Sequence, residues 1–343
     1  MNNDTKIPWH KRGTKLDKPQ TARLAICSAG MNWTVAKVPQ DAGQASDPQR
    51  KNLLVREDLW DKTCGDEMRE AILSEVTDDY VPLQNTHVFD FFDPVVATGA
   101  IYYDSAGFSD AGKHIWLMAR LPGDLEIVPG DKIGCFLQLS YSHEQFSPAL
   151  LKRTIQIESP SIRFSPVRLL TGRALEGYFS SVRVLSKEIQ ANQIIPVLRS
   201  ADGRPSLDQD AEAVMQTIRQ HYEKIAGLFR SMARLKMDEA KMQEFVESLF
   251  LQPLNMGDDE KYEKSMAKRL ERMRRCSQFI IKGNEHPEAR GTLWAAYNAV
   301  IEYNAHCRAE QEGFSRVSSV VLFLLAKSKC EPQAKDNPFN HPI

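Results

Sequence analysis

The sequence lacks the short motifs by which metal sites, nucleotide-binding loops and hydrolytic enzymes are usually recognised. None of its six cysteines forms a CxxC pair, and HExxH, GxSxG, GxGxxG and Walker-type phosphate loops are absent. Cysteines dispersed in this way are typical of reduced, partly buried thiols. We therefore predict no catalytic residue, no metal and no cofactor, and we favour a binding protein over an enzyme.

Long apolar runs are also absent. The longest, such as residues 317–326, are interrupted by serines, and they fall short of the roughly 20 residues that cross a bilayer. The first 18 residues are polar and basic and contain no apolar core of the kind that a secretory signal needs. We expect a cytoplasmic protein without a membrane partner.

The net charge is only −1 over 343 residues, but the charges are unevenly distributed. Residues 41–110 contain five basic and fifteen acidic residues, whereas residues 152–204 contain nine basic and four acidic ones. Binding of phosphate is favoured by such a local excess of Lys and Arg, so the middle of the chain is the better candidate for it. The alternative is that these distant charges mix on one folded surface.

Strand-like runs separated by glycine-containing turns occupy the middle of the chain, at residues 99–105, 114–120, 125–128 and 133–141. Two of the turns, Pro122-Gly123-Asp124 and Pro129-Gly130-Asp131, have the chemistry of type II turns. Residues 152–158 and 161–170 extend the pattern, and Pro166 fits an edge strand or a bulge there. The pattern predicts an antiparallel meander.

The flanking segments have other periodicities. Residues 53–56 and 72–76 resemble short strands, and a helix over residues 86–97 is predicted, capped by Asn85 and short or kinked at Pro94. After residue 172 apolar residues recur at helical spacing. One such stripe contains Trp294, Tyr297 and Ile301, which we expect in the core.

Strands followed by helices, rather than alternating with them, indicate an α+β fold. We predict an antiparallel β-meander sheet packed with helices, followed by a mainly helical C-terminal part. The expected organisation is a polar N-terminal segment with a mobile loop at 1–52, the sheet region with one short helix at 53–170, the helical region packed on it at 171–330 and a disordered tail at 331–343.

Two small constellations invite catalytic interpretations. Asp90 and Asp93 lie three residues apart and could ligate a divalent ion for phosphodiester cleavage, although acidic residues in the opening turns of a helix are also stabilised by its dipole. Ser142 and His143 are adjacent at a predicted strand end. Neighbouring residues of a strand point to opposite faces, so we do not expect a nucleophile and base pair.

The basic residues are more suggestive of binding. One helical face is predicted to carry Lys264, Lys268, Arg272 and Arg275. A looser series on the late strands and the first predicted helix after them consists of Lys152, Arg153, Arg163, Arg168, Arg173 and Arg183. With Trp116, Tyr141 and Phe164 as stacking surfaces, the second series would form a platform for single-stranded nucleic acid. The alternatives are solvated charges and core aromatics.

Several blocks together resemble the phage- and plasmid-like family that contains domain of unknown function 932. They are Pro8-Trp9-His10, Gly13-Thr14, Leu54-Val55-Arg56, Tyr80-Val81-Pro82-Leu83-Gln84-Asn85, Phe89 to Pro94, Trp116 to Gly123, Ser142-His143, Ser165-Pro166-Val167-Arg168 and Gly291 to Val300. The resemblance implies a protein that acts inside a bacterial host cell, and it assigns no activity to any residue.

The leading hypothesis is a non-catalytic nucleic-acid-binding protein of phage or plasmid DNA metabolism, with single-strand DNA binding or annealing in recombination as its narrower form. The alternative is a host-interaction or counter-defence protein that binds a host protein through its acidic N-terminal part. A metal-dependent nuclease that uses Asp90 and Asp93 is the third hypothesis. An oligomer is compatible with each of them.

Overall fold

The computed structural model describes residues 13–40, 52–60, 68–144, 161–169, 179–181, 194–195, 197–199, 204–207, 209–250, 267, 271, 287–298 and 300. The chain forms two compact units. The first is drawn from residues 1–125, 132–183 and 190–223, and the second from residues 126–131, 184–189 and 224–343. The predicted domain boundaries at residues 52, 170 and 330 stay predictions.

Short strands and short helices are mixed in the first part of the chain. They are β1 (Thr14–Lys15), α1 (Ala22–Ser28), β2 (Val35–Pro39), β3 (Asn52–Arg56), α2 (Glu57–Trp60), α3 (Met68–Ala71) and β4 (Ile72–Val76). Strands β2, β3 and β4 form an antiparallel three-stranded sheet in that order. Strands β3 and β4 confirm the two short strands predicted from the sequence.

The segment predicted as one helix over residues 86–97 is divided into three short pieces, so that prediction was wrong. The pieces are two 3₁₀ turns, Asn85–His87 and Asp90–Phe92, and the helix α4, Asp93–Ala97. Asn85 does not cap a helix, because its side chain is buried and bonded elsewhere. Pro94 lies in the first turn of α4, where its missing N–H costs no helical hydrogen bond.

The large sheet contains the predicted antiparallel meander. Strands β5 (Tyr102–Ser109), β6 (His114–Val128), β7 (Asp131–Ser142) and β8 (Ser161–Leu169) are neighbours in chain order. Strand β1 pairs with the outer side of β5, and two short strands, β9 (Phe179–Ser181) and β10 (Ile194–Ile195), pair with β8.

One of the two predicted turns is wrong. Strand β6 continues through Pro122-Gly123-Asp124, where Gly123 has a φ of 93° within the strand, whereas Pro129 and Gly130 do form the turn between β6 and β7. The turn chemistry is the same in both places, so strand pairing overrides it at the first. Pro166 lies opposite Cys135 of β7, between the parts of β8 that pair with β9 and β10. Its missing N–H is tolerated there.

The later elements are mainly helical. A two-stranded ladder of β11 (Val197–Arg199) and β12 (Pro205–Leu207) precedes α5 (Ala211–Arg234) and α6 (Glu239–Phe250), and residues 293–298 are helical. Trp294 and Tyr297 are buried, as predicted, and Trp294 packs against Phe229 with ring centroids 4.7 Å apart. Ile301 lies outside the described residues.

The sheets and helices together give the α+β fold expected from the sequence. Among the described residues, no helix is long and apolar enough to span a membrane.

Arg56 at the end of β3 links the three-stranded sheet to the tip of the β5–β6 hairpin. Its guanidinium lies 3.8 Å from the centroid of the Trp33 ring, and its Nη1 donates a hydrogen bond of 2.9 Å to the Ala111 carbonyl. Asp58 accepts a further bond of 2.8 Å from Nη2. The hairpin tip that Arg56 holds is strained, because Asp110 and Ala111 have positive φ angles of 48° and 54°.

Candidate functional site

The large sheet has two unlike faces, which strand β7 shows most clearly. Alternate residues are buried, namely Ile133, Cys135, Leu137, Leu139 and Tyr141, whereas Gln138, Ser140 and Ser142 between them are half-buried. Successive residues of a strand face opposite sides, so one face belongs to the core and the other is polar except at Phe136, which is 2% exposed. We call the second the polar face.

A row of alternating cationic and aromatic side chains crosses the polar face. The Lys18 Nζ lies 4.7 Å from the centroid of the Tyr102 ring in β5. Tyr102 is directly opposite Arg120 of β6, whose guanidinium lies 5.3 Å from the centroid of the Phe136 ring in β7. These four residues, named the cation–aromatic row, therefore reach across three adjacent strands.

A β-bulge brings a carboxylate to one end of the row. Tyr103 pairs with Ala119 and Ser105 with Met118, so Asp104 is the extra residue of β5. The buried Asp104 carboxylate forms an ion pair with Lys15. Lys15 is thus already neutralised, and it contributes little free positive charge to the polar face.

Arg120 is the fixed charge of the row. Its burial opposes the charged form, but Tyr102, Asp124 and Asp104 outweigh that effect and raise the pKa of the guanidinium. The Nη2 atom is 3.2 Å from the Asp124 Oδ1, and both side chains are partly exposed. A partly exposed pair of this kind contributes little stability.

Two glycines allow close packing beside the row. A Cβ atom on Gly107 would overlap the Trp116 ring and lie 2.8 Å from the Gly13 Cα, and Gly13 has a φ of 66°. Larger residues would separate β1 from the ring. Trp116 is half-buried in this arrangement.

A buried histidine forms the second polar cluster of the first unit. Asn85 and His143 are each 1% exposed, and the Asn85 Oδ1 is 2.8 Å from the His143 Nε2. The Asn85 Nδ2 donates to the Met31 carbonyl at 2.9 Å, so Oδ1 accepts and Nε2 carries the proton. Burial, reinforced by the charge of His114, lowers the pKa of His143 to about 3. The ring is therefore a neutral, structural group at pH 7.

Ser142, Asp90 and Asp93, for which the sequence suggested possible catalytic roles, each bond a different partner. The Ser142 Oγ accepts a bond of 3.1 Å from the Glu144 N–H. The Asp93 Oδ1 accepts bonds of 2.7 Å from the Ala22 N–H and 2.8 Å from the Tyr103 hydroxyl. Burial raises the pKa of Asp93 despite these bonds. Its carboxylate thus fixes the start of α1 to β5.

Asp90 points to a different partner, since its Oδ2 lies 2.8 Å from the His87 Nδ1. Among the described residues, no group of three or more His, Cys, Asp or Glu side chains could hold a metal ion.

Of the ten basic residues predicted to bind nucleic acid, two lie within the described residues. Arg163 lies opposite Gln138 and Arg168 opposite Ile133 in a continuous β7–β8 register. The two positions are an odd number of residues apart, so they belong to opposite faces of β8. The others lie outside the described residues: Lys152, Arg153, Arg173, Arg183, Lys264, Lys268, Arg272 and Arg275.

Two of the three predicted stacking surfaces are wrong. Tyr141 is 3% exposed and Phe164 is 6% exposed, because both lie on the buried face of the sheet. The Phe164 ring is covered by His221, stacked at 4.9 Å between centroids, and by the edge of Tyr222 at 5.4 Å.

Sequence reasoning missed the four residues of the cation–aromatic row, which are Lys18, Tyr102, Arg120 and Phe136. Arg120 lies in one of the blocks that carry the family resemblance, and it stands two positions after Met118 and four after Trp116, on the same face of the strand. Tyr102 is brought to Arg120 by the pairing of β5 with β6, and Lys18 reaches the Tyr102 ring from the segment after β1.

A protein-family comparison gives the identity. The model described as "Domain of unknown function (DUF932)" matches residues 72–154 and 203–330, which is more than half of the chain. The chain belongs to this family. The DUF932 match contains Tyr102, Arg120, Asn85 and His143, and it begins after Lys18. No curated protein and no solved structure matches the chain.

Proposed function

We propose that this DUF932 protein binds single-stranded nucleic acid, and single-stranded DNA in particular, as a non-catalytic protein of phage or plasmid DNA metabolism in a bacterial cytoplasm. The cation–aromatic row carries the proposal. Proteins that bind single strands combine cations for the backbone with aromatic rings for the bases, and Lys18, Tyr102 and Arg120 supply both.

The dimensions of the row suit a short stretch of chain. Neighbouring strands are about 4.8 Å apart, so three strands span about 10 Å. This is enough for a few nucleotides on the polar face. The position of Arg163 in β8 is opposite Gln138, so this residue is included in the proposed surface.

The balance of charges limits how much of the affinity comes from phosphate. Lys15 is paired with Asp104, so Lys18 and Arg120 are the cations offered by the described part of the row. Each phosphate contact on a single strand contributes a salt slope of about 0.7. Two contacts predict a slope of about 1.4, with stacking supplying the remainder of the affinity.

A host-protein partner is the second candidate because one apolar side chain is held in solvent. Val81 is 82% exposed. Before Val81 in the chain, the Lys37 ammonium donates hydrogen bonds to the Asp78 and Tyr80 carbonyls. After Val81, the Gln84 side-chain amide accepts a hydrogen bond from the Val35 N–H and donates one to the Val35 carbonyl. Apolar residues that stand singly in solvent are common on proteins, so this candidate ranks below nucleic-acid binding.

The test of nucleic-acid binding is fluorescence anisotropy with labelled single-stranded DNA, duplex DNA and RNA over a range of salt concentrations. Tyr102→Leu should weaken single-strand binding by about 1 to 3 kcal/mol if one base stacks on the ring. Arg120→Gln should reduce the salt slope by about 0.7.

Arg219→Gln is the matched control, because it removes the same charge from an exposed position on α5. It should bind as the wild type does. An absence of single-strand binding at low salt, or equal effects of the Arg120 and Arg219 variants, would refute the proposal.

A further inference from the structure

We infer that Lys18 covers the Tyr102 ring in the free protein and gives the ring up to a nucleobase when single-stranded nucleic acid binds. The inference rests on the proposed function and adds an exchange step to it. In that step the Lys18 ammonium leaves the aromatic face and contacts a backbone phosphate instead.

The position of Lys18 favours this exchange. Its side chain is exposed, its ammonium lies 4.7 Å from the centroid of the ring, and its backbone has a positive φ of 43°. A left-handed conformation is unfavourable for a lysine. Among the described residues no carboxylate forms an ion pair with Lys18, whereas Lys15 and Arg120 each have one. Of the three cations Lys15, Lys18 and Arg120, Lys18 is therefore the one that is held least firmly.

The direction of the exchange depends on whether the ammonium or a base binds the Tyr102 ring more strongly. A cation over an aromatic ring at an exposed site is worth about a two- to fivefold factor. A base stacked on an aromatic ring is worth about five- to 150-fold. The base therefore displaces the ammonium. The released Lys18 ammonium remains close enough, on its flexible side chain, to neutralise a neighbouring phosphate. The exchange is therefore favourable for the base and for the ammonium.

Two variants of Lys18 distinguish its covering of the Tyr102 ring from its positive charge. Lys18→Ala removes the ammonium and the stem, and Lys18→Met removes the charge but keeps an unbranched side chain that can still lie on the ring. Both keep a β carbon, so the backbone strain is unchanged. Anisotropy is measured with a short oligothymidine and with an abasic oligonucleotide of the same length, at low and high salt.

The exchange predicts that both variants lose about 0.7 of the salt slope. At high salt, where the phosphate contact is screened, Lys18→Ala should bind oligothymidine about two- to fivefold more tightly than the wild type, because the competitor is gone. Lys18→Met should show no such gain, and neither variant should gain on the abasic oligonucleotide.

Other outcomes would overturn the inference in distinguishable ways. If the wild type binds and the two variants behave alike at high salt, Lys18 is a simple phosphate contact and does not cover the ring. If the wild type binds and neither variant differs from it, Lys18 is outside the site. If the wild type binds no single strand at all, the proposed function fails as well.

Discussion

Acid should destabilise the first unit specifically through His143. The ring is buried and neutral, and its pKa in the folded protein is about 3 against an ordinary value of 6.5. When the unit unfolds, the imidazole regains a normal pKa and takes up a proton at any pH below about 6.5. The unfolded state then binds more protons than the folded state, so stability falls as the pH falls.

The magnitude follows from proton linkage. Between pH 7 and pH 5 the unfolded histidine becomes almost fully protonated, whereas His143 in the folded protein stays neutral. The free energy of unfolding should fall by about 2 kcal/mol over this range from His143 alone. Because the folded pKa lies well below 5, the size of the effect is set by the ordinary pKa of histidine. The loss continues down to about pH 3.

The assay is urea denaturation at pH 7 and pH 5, followed on the transition of the unit that contains His143. The test variant is His143→Gln, which does not titrate and can still donate to the Asn85 Oδ1. It should lose about 2 kcal/mol less than the wild type on acidification. The control His87→Gln removes an exposed histidine and should keep the wild-type loss. Equal losses in the wild type and His143→Gln would refute the assignment of a buried neutral ring.

Two further changes test packing by thermal or urea unfolding. Gly107→Ala should cost about 1 to 3 kcal/mol, because the added methyl group overlaps the Trp116 ring; part of the loss should return with Trp116→Phe, and a neutral effect would contradict this packing. Trp294→Ala should cost about 3 to 5 kcal/mol, since the side chain is 0% exposed and its Nε1 donates to the Asp131 Oδ2 at 2.8 Å. A fully stable Trp294 variant would remove it from the core.

The meander was predictable because its signal is local. Strand-like runs and Pro-Gly turns act over a few residues, and strands β5 to β8 are indeed neighbours in chain order. The same local chemistry was misleading at Pro122-Gly123, where long-range pairing keeps β6 extended. The helix expected at 86–97 was wrong for a related reason. Its apolar residues are buried, but Asn85 and Asp93 bond distant parts of the chain instead of supporting one helix.

The candidate site was not predictable, because it depends on register. Lys18, Tyr102 and Arg120 are far apart in sequence and meet only through the pairing of β5 with β6 and the position of the segment after β1. A count of basic residues pointed instead to residues 152–204. In that region the two placed arginines, Arg163 and Arg168, belong to opposite faces of β8. Counting charges cannot reveal which face of a strand they occupy.

The family blocks mostly describe the scaffold that holds the sheets together. Arg56 stacks on Trp33 and bonds the Ala111 carbonyl, and Asn85 bonds His143, whose own carbonyl accepts a hydrogen bond from the Ser74 Oγ at 2.8 Å. These contacts connect β3 and β4 with the β5–β6 hairpin and the end of β7.

One block, residues 116–123, reaches the cation–aromatic row, and it does so through Arg120. Lys18 and Tyr102 lie outside the blocks. The blocks therefore contain several residues of the scaffold and one residue of the row. The Arg56 guanidinium is buried against the Trp33 ring, whereas the Arg120 guanidinium is partly exposed, lies over the Phe136 ring and pairs with the partly exposed Asp124. Since a partly exposed pair of this kind adds little stability, we propose that Arg120 serves ligand binding more than it serves the fold.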